Sequence, residues 1–200
     1  PQRIQRHAGR PLRLAKVVVR DLGRPRQYAV PASLLTDDIQ VVVRDPAIQV
    51  VALLIGGLEP ARSITLQLLE SGKDIVTANK ALLAEHGPEL FECARKLGRS
   101  IAFEAAVAGG VPIIANLSQC FSANQILSLR GILNGTSNFI LTEMADRDAE
   151  YASAVAEAQR RGYAEANPAM DVNGTDAAQK LSILTHLAFG AQVPWRDIPR

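Results

Sequence analysis

Short apolar runs alternate with stretches of helical periodicity in the first half of the chain. Strands are predicted at Lys16–Arg20, Ile39–Val43, Val50–Ile55, Asp74–Thr77 and Ser100–Phe103. The run Val50–Ile55 is apolar throughout and stops at Gly56-Gly57, which is typical of a parallel strand covered on both faces. Helices are predicted from Pro60 to Ser71-Gly72 and over Asn79–Leu97. This alternation predicts an α/β fold, a doubly wound parallel sheet with right-handed crossovers.

The pattern changes near Ala123. The apolar positions from Ile126 to Leu133 predict one longer strand. Turn and helix-cap chemistry at Asn134–Ser137 and a connector at Gly162–Gly174 divide the helices predicted at Asn138–Ala145, Ala149–Arg161 and Thr175–Phe189. We therefore predict two domains, residues 1–122 and residues 123–200.

Composition narrows the class of protein. The chain has 200 residues, of which 48% are hydrophobic, and this is enough apolar material for one globular domain or two small ones. A net charge of +2, without a basic tract that carries interleaved aromatics, argues against nucleic-acid binding. The sequence lacks an apolar run long enough for a bilayer, and its basic opening lacks the apolar core of a signal peptide. Cys93 and Cys120 do not have the spacing of metal ligands or of a redox pair, so we expect both to be free thiols. Together these features predict a cytoplasmic protein without a membrane partner.

Two predicted strands end in residues that suit a nucleotide, because doubly wound sheets bind ligands at the carboxyl ends of their strands. Gly56-Gly57 would let a cofactor approach the backbone, or would form a tight turn only. Lys80, after Thr77, is either a contact to phosphate, ribose or an anionic substrate, or a surface lysine that opens a helix.

Arg20 ends the first predicted strand of this chain, which would be the second strand of a doubly wound sheet, the strand whose end meets the adenosine ribose. A basic residue there favours the 2′-phosphate of NADP, whereas the adjacent Asp21 would suit NAD. A solvated Arg-Asp pair explains both residues equally well.

Acidic residues and one lysine cluster near the end of the chain. Asp176 and Lys180 lie four apart on the last predicted helix, so their side chains share a face. The alternative is an exposed pair of little energetic value. Glu165 and Asp171 precede them in the glycine-containing connector, and carboxylates near a lysine suit an amino-acid ammonium group and a proton donor. Asn134-Gly135-Thr136 opens a helix whose N–H groups would accept a substrate carboxylate, or is an N-cap only. The three histidines fit no ligand spacing.

A turn of small residues runs from Glu104 to Val111. Its backbone carbonyls would suit a hard monovalent cation, although a close-packed strand-to-helix turn explains its glycines equally well.

Several segments resemble the homoserine dehydrogenase family, and they follow the family's order over most of the chain. The segments are Leu54–Gly57, Val76–Ala84, Phe103–Ile114, Gly131–Asn138, Gly162–Ala166, Asp171–Gly174 and Asp176–Leu181. The resemblance implies a Rossmann-type sheet, followed by part of an α+β catalytic and dimerisation domain. It also implies interconversion of L-homoserine and L-aspartate 4-semialdehyde with NADP or NAD, within threonine, methionine and isoleucine biosynthesis, and a homodimer or higher homo-oligomer.

The resemblance also implies roles for individual residues. Lys180 would be the acid/base lysine, and Asp176 would both bind substrate and take part in catalysis. The remaining substrate contacts would be Glu165, Lys80 and Asp171; the cofactor contacts Gly56, Gly57, Thr77, Lys80, Gly162 and Arg20; and the ligands of a structural sodium ion Glu104, Val107, Gly109 and Val111.

The chain departs from the family pattern in three ways. The glycine-rich GxGxxG turn of the first βα unit is absent from the sequence. We also expect that the family's catalytic domain continues beyond the last residue of this sequence. Leu53 stands where many relatives carry Glu, which argues against a polar role at that position. We therefore expect a fragment that is inactive alone. Two alternatives are a related amino-acid oxidoreductase of the same architecture and a non-catalytic assembly module.

Overall fold

The computed structural model describes residues 2–200, and its first half alternates strands with helices as predicted. The elements are α1 (Gln2–Ala8), β1 (Val17–Val18), β2 (Leu35–Thr36), α2 (Gln40–Val43), β3 (Val50–Leu53), α3 (Ala61–Glu70), β4 (Asp74–Thr77), α4 (Lys80–Lys96) and β5 (Ile101–Ala102). The predicted β4 is confirmed residue for residue, and the other confirmed strands are shorter than predicted.

The strands form two small parallel sheets. β1 pairs with β2, and β3, β4 and β5 pair in that order. In the larger sheet Ala52 lies opposite Val76, which lies opposite Ala102. Parallel pairing brings the carboxyl ends of β3 and β4 to one edge, because Leu53 and Thr77 are register partners. The predicted α/β fold with parallel strands is confirmed.

The predicted strand at Ile39–Val43 is wrong, because Gln40–Val43 forms the short helix α2. The Asp38 carboxylate accepts a hydrogen bond from the Gln40 backbone N–H at 2.8 Å. This local cap supplies a partner for an N–H at the helix start, which outweighs the weak strand preference of β-branched residues. The partner of β1 is instead β2.

Strand β3 is covered on one face only, which corrects the expectation of burial on both. Leu53 is 5% exposed and packs in the core, whereas Val50 is 53% exposed. Val76 of the neighbouring strand is also exposed. Helix α3 contacts both β3 and β4, and the core on this inner face also includes side chains of α2 and α4. The Leu53 side chain lies in this core, so it presents no polar group at the end of β3.

The second half of the chain is helical. Its elements are α5 (Ile113–Ala115), a π-helical turn (Asn116–Cys120), α6 (Gly135–Arg147), α7 (Tyr151–Arg160), α8 (Ala169–Val172) and α9 (Thr175–Phe189). The predicted α9 is confirmed residue for residue. The predicted strand between Ile126 and Leu133 is wrong, because no described residue pairs with that segment. A strand without a neighbour leaves its backbone groups without ladder hydrogen bonds.

Helix α9 packs against helix α4 and so joins the two halves of the chain. Leu83 of α4 belongs to one core cluster with Ile183 and Leu184 of α9. This packing places the N-terminus of α4 beside the N-terminal half of α9. In the described part of the chain, no helix has both the length and the apolar character to cross a membrane. The domain division at 122/123 stays a prediction.

The segment after α9 folds back onto α4 through one carboxylate. Glu85 accepts hydrogen bonds from Trp195 Nε1 at 2.8 Å and from Arg196 NH1 at 2.7 Å. We expect Glu85→Ala to lower the free energy of unfolding by about 1–2 kcal/mol, the scale of hydrogen bonds to a charged group. Urea unfolding at pH 7 measures the loss. Glu92→Ala is the control on the same helix, because Glu92 forms solvent-exposed pairs with Arg95 and Lys96, and exposed pairs contribute little to stability.

The Glu85 contribution should also depend on pH. The hydrogen bond from Trp195, opposed by partial burial and supported by Arg196, holds the pKa of Glu85 below its usual range. A carboxyl whose pKa is depressed in the folded state stabilises the protein above its unfolded pKa, and this stabilisation is lost as pH falls through the folded pKa. The difference between wild type and Glu85→Ala should therefore shrink below about pH 4. A difference that stays constant with pH would contradict an ionic contact.

Candidate active site

Asn79 connects the glycine turn after β3 to the start of α4. Its side-chain oxygen caps α4 by accepting from the Leu82 backbone N–H at 3.0 Å. Its Nδ2 donates to the carbonyl oxygens of Ile55, at 3.1 Å, and Gly57, at 2.7 Å. One amide therefore fixes the turn relative to Lys80, the first residue of α4.

The glycine turn leaves open space at the carboxyl end of the sheet. Gly57 has φ +79°, a left-handed conformation that favours glycine. A Cβ at Gly56 or Gly57 would meet no atom within 4 Å. Thr77 is buried, and its hydroxyl donates to the Leu53 carbonyl at 3.0 Å and accepts from the Asn79 N–H at 3.1 Å. The hydroxyl thus joins β4 to β3, while the two glycines face space.

Asp176 lies between two lysine ammonium groups. Its Oδ1 is 2.8 Å from Lys80 Nζ, and its Oδ2 is 2.7 Å from Lys180 Nζ. Lys180 also donates to the Leu133 carbonyl at 2.8 Å. Asp176 is 5% exposed, whereas the side chains of Lys80 and Lys180 are 33% and 18% exposed. The structure thus brings together a lysine from the sheet half of the chain and the predicted acid–lysine pair of α9.

The charged form of Asp176 is favoured by its surroundings. Burial opposes ionisation, but hydrogen bonds from Lys180, Lys80 and Asn134, together with the charge of Lys80, hold the pKa of Asp176 below its ordinary value. The carboxylate therefore stays ionised near neutral pH. Its buried charge is offset by two ammonium groups whose side chains reach solvent, so both lysines retain access to a bound molecule.

Asn134 joins the two acids of the cluster. Its Nδ2 is 2.8 Å from Asp171 Oδ1 and 2.9 Å from Asp176 Oδ2. Its side-chain oxygen caps α6 by accepting from the Ser137 N–H at 2.7 Å. The predicted N-cap at Asn134 is confirmed. Asp171 is linked to Asp176 only indirectly, because both carboxylates accept from the Asn134 amide nitrogen.

Glu165 and Gly162 lie in the connector after α7, and neither residue contacts the cluster directly. The Thr136 hydroxyl donates to the Tyr163 carbonyl at 2.6 Å and holds the connector against the start of α6. Gly162 has φ +77° at the end of α7, and its position is open. The Glu165 side chain is exposed, and within residues 2–200 it has no hydrogen-bond or ionic partner.

Arg20 lies at a distance from the cluster in the fold. It is exposed two residues after β1, and its guanidinium contacts no acceptor within the described range 2–200. The neighbouring Asp21 is also exposed and accepts from the Gly23 N–H at 2.8 Å. The roles of Arg20 and Asp21, including the alternative of a solvated pair, stay predictions.

The Ala/Gly turn is held by its first residue. The Glu104 carboxylate accepts from the backbone N–H groups of Ile114, at 3.0 Å, and Ala115, at 2.9 Å. Val107 is fully buried, whereas Gly109 and Val111 are exposed, and the Val111 carbonyl accepts from Ile113 N–H at 2.8 Å. The carboxylate of Glu104 therefore caps α5 in this structure.

Sequence reasoning missed the cap at Asn79, and it missed the further hydrogen bonds that the side chains of Asn79 and Asn134 donate. Asparagine before a helix signals an N-cap, because its side-chain oxygen accepts from the first turn. The same residue type also predicts the additional hydrogen bonds. A capping asparagine has two side-chain N–H donors, and these donors must find partners when the residue is buried. The sequence does not predict that the Leu133 carbonyl accepts from Lys180, because every residue carries a backbone carbonyl.

The structure is that of an α/β protein in which the parallel-sheet half and the helical half meet at the acid–lysine cluster, the candidate ligand site. Comparisons with known proteins identify a family for each of these parts. A family model described as the NAD-binding domain of homoserine dehydrogenase matches residues 2–104, and the homoserine dehydrogenase model matches residues 112–200. The chain belongs to the homoserine dehydrogenase family.

Individual relatives show how much of the family's length the chain spans. It is 49% identical to a homoserine dehydrogenase of Synechocystis sp. over 91% of this chain and 42% of that protein. It is 48% identical to one of Pseudomonas aeruginosa over 94% of this chain and 43% of that protein. A crystal structure of homoserine dehydrogenase from Thiobacillus denitrificans matches with TM-score 0.84 and 47% identity, over 98% of this chain and 45% of that one. The chain thus spans less than half the length of these relatives.

Proposed function

We propose that these residues form the meeting point of nucleotide and substrate in an NAD(P)-dependent homoserine dehydrogenase. The enzyme would interconvert L-homoserine and L-aspartate 4-semialdehyde. One observation carries the proposal: Asp176 bridges Lys80, at the carboxyl edge of the parallel sheet, and Lys180, on the helix of the other half. A hydride-transfer enzyme needs such a shared edge, because the reacting carbons of cofactor and substrate must lie side by side.

The residues present fit a nicotinamide nucleotide. The open turn at Gly56 and Gly57 lies where doubly wound sheets bind ligands, and Lys80 supplies a cation beside it. Gly162 is the candidate from the other half. When bound, NAD(P) supplies or accepts the hydride. Arg20, exposed near the end of β1, would favour the 2′-phosphate of NADP.

Lys180 is placed to give a proton to the substrate oxygen. An ammonium has three N–H donors, and two of them are directed to Asp176 and the Leu133 carbonyl. The third donor is left for a substrate. In the reducing direction the aldehyde carbon gains a hydride and its oxygen gains the Lys180 proton, which gives the alcohol. In the oxidising direction the neutral amine takes that proton back. Asp176 keeps the Nζ atom in place.

Lys80, Asp171 and Glu165 would bind the remainder of the amino acid. Lys80 has one partner among the described residues, so donors remain for the substrate carboxylate or for the nucleotide. The exposed carboxylate of Glu165 and the connector's Asp171 would bind the substrate ammonium group. A structural sodium ion on Glu104, Val107, Gly109 and Val111, a homodimer or higher homo-oligomer, and a cytoplasmic location complete the proposal.

Activity should be measured on a polypeptide of the relatives' length that contains these 200 residues, called here the family-length enzyme. We expect homoserine-dependent reduction of NADP or NAD. The reaction is followed by the absorbance of the reduced nicotinamide at about 340 nm. A screen of other hydroxy amino acids with both nucleotides separates this reaction from that of a related oxidoreductase. Absence of turnover with every substrate, together with intact assembly, would favour an assembly module instead.

Glu165→Gln should mainly raise KM for homoserine in the family-length enzyme. The amide retains the shape of the side chain but removes the charge that would pair with the ammonium group. We expect roughly a 10-fold or larger rise in KM and a smaller change in kcat, because the binding is lost equally in ground and transition states. Glu150→Gln is the control, since Glu150 lies before α7 away from the cluster. An unchanged KM would remove Glu165 from substrate binding.

A further inference from the structure

We propose that Asn134 is a positioning residue for the reaction, which holds Asp176 and Asp171 side by side and thereby sets the position of Lys180. The inference rests on the proposed function, and it adds a residue that touches neither the nucleotide nor the reacting carbon. Three features of the structure carry it: the complete use of the Asn134 amide, the convergence of Lys180 on the same corner of the backbone, and the charges that this corner brings together.

Every polar atom of the Asn134 side chain is engaged. The oxygen accepts from Ser137 N–H at 2.7 Å, and the nitrogen donates at 2.8 Å to Asp171 and at 2.9 Å to Asp176. An NH₂ group has two hydrogens, so both are used. Asn134 is 8% exposed, and water cannot easily replace these contacts. The N-cap contact fixes the orientation of the amide, and the amide in turn fixes the two carboxylates.

Lys180 and Asp176 both contact the same backbone corner. Lys180 Nζ donates to the carbonyl of Leu133, the residue before Asn134, at 2.8 Å. Asp176 Oδ2 accepts from Asn134 and from Lys180 at once. The position of Asn134 therefore determines the orientation of Asp176 Oδ2, the oxygen that accepts from Lys180. Loss of the amide would leave Asp176 free to turn toward Lys80 and to draw away from Lys180.

Electrostatics makes this contact necessary. Asp171 and Asp176 are like charges bound to one nitrogen, so they repel each other across it. The charged groups facing Asp176 are Lys80 from α4 and Lys180 from α9, with Asp171 of α8 beyond the amide. Hydrogen bonds to a carboxylate favour its ionised form, so removal of the Asn134 donors should raise the pKa of Asp176.

The test uses a substitution that retains the cap. Asn134→Ser keeps an oxygen that can cap α6 but removes both N–H donors. In the family-length enzyme we expect kcat to fall by roughly 10-fold, the equivalent of one lost charge-assisted hydrogen bond. The acid limb of the kcat/KM profile should move to higher pH. Asn134→Asp, which keeps size and cap but adds a third carboxylate, should move it further. Asn173→Ser is the control, because Asn173 bonds to the Thr175 N–H and to neither acid.

A second readout is independent of activity. The carboxyl carbon of Asp176 is titrated by NMR in this 200-residue chain, and its pKa should rise in Asn134→Ser but not in Asn173→Ser. An unchanged pKa and an unchanged acid limb would overturn the positioning role, even if kcat fell. If the family-length enzyme does not oxidise homoserine, the proposed function fails, while the NMR titration still decides what Asn134 does. If Asn134→Ser does not fold, the same titration on Asn134→Asp decides it.

Discussion

Lys180→Ala is expected to lower kcat of the family-length enzyme by roughly 10²–10⁴-fold, the usual scale of a lost general acid or base. The reason is geometric. Two of the three N–H donors of Lys180 bond to Asp176 and the Leu133 carbonyl, so one donor remains for the substrate. KM should change less than kcat, because the other proposed substrate contacts remain. Steady-state rates in both directions measure the loss.

Lys180→Arg separates proton transfer from charge. Arginine keeps a cation and its hydrogen bonds to Asp176, but its guanidinium does not give up a proton near neutral pH. We expect Lys180→Arg to remain close to wild type in unfolding free energy and to lose nearly as much kcat as Lys180→Ala. Near-normal turnover of either variant across the pH range would remove Lys180 from the chemistry. Lys96→Ala, on the exposed face of α4, is the control.

Asp176→Asn should have the second-largest effect, on both activity and stability. It removes the single carboxylate that two ammonium groups share, at 2.8 Å and 2.7 Å. Breaking a buried ion pair costs about 3–5 kcal/mol. The partial exposure of both lysines reduces the expected loss to about 1–3 kcal/mol. We expect kcat/KM to fall by roughly 10²–10³-fold, because both lysines lose their position.

The stability difference between wild type and Asp176→Asn should depend on pH. The folded-state pKa of Asp176 is below its ordinary value, despite burial, because Lys180, Lys80 and Asn134 donate to it. Its stabilisation is therefore present above the unfolded pKa and lost as pH falls through the folded pKa. Urea unfolding at neutral pH and at about pH 3 tests this. A difference that does not shrink in acid would contradict an ionised Asp176. Asp146→Asn, an exposed change on α6, is the control.

Local signals predicted much of the fold. Helix α9 and strand β4 were predicted to the residue, because apolar periodicity, Ser71-Gly72 and the glycine before Thr175 act within a few residues. The predicted segments Ile39–Val43 and Ile126–Leu133 failed for a shared reason. A strand exists only where a neighbouring strand accepts its hydrogen bonds, and the sequence of a segment does not record its neighbour.

By itself the sequence determined the residue types of the site, the spacing of Asp176 and Lys180 on one helix face, and the helix cap at Asn134. These depend on helix geometry, which is local. Only the tertiary structure decided that Lys80 shares Asp176 with Lys180, and that Asn134 reaches both acids. The Lys80 contact comes from the packing of α4 against α9, and the Asn134 contacts come from the packing of α6 against α8 and of α8 against α9. There, side chains distant along the chain satisfy one another's charges and hydrogen bonds around a buried carboxylate.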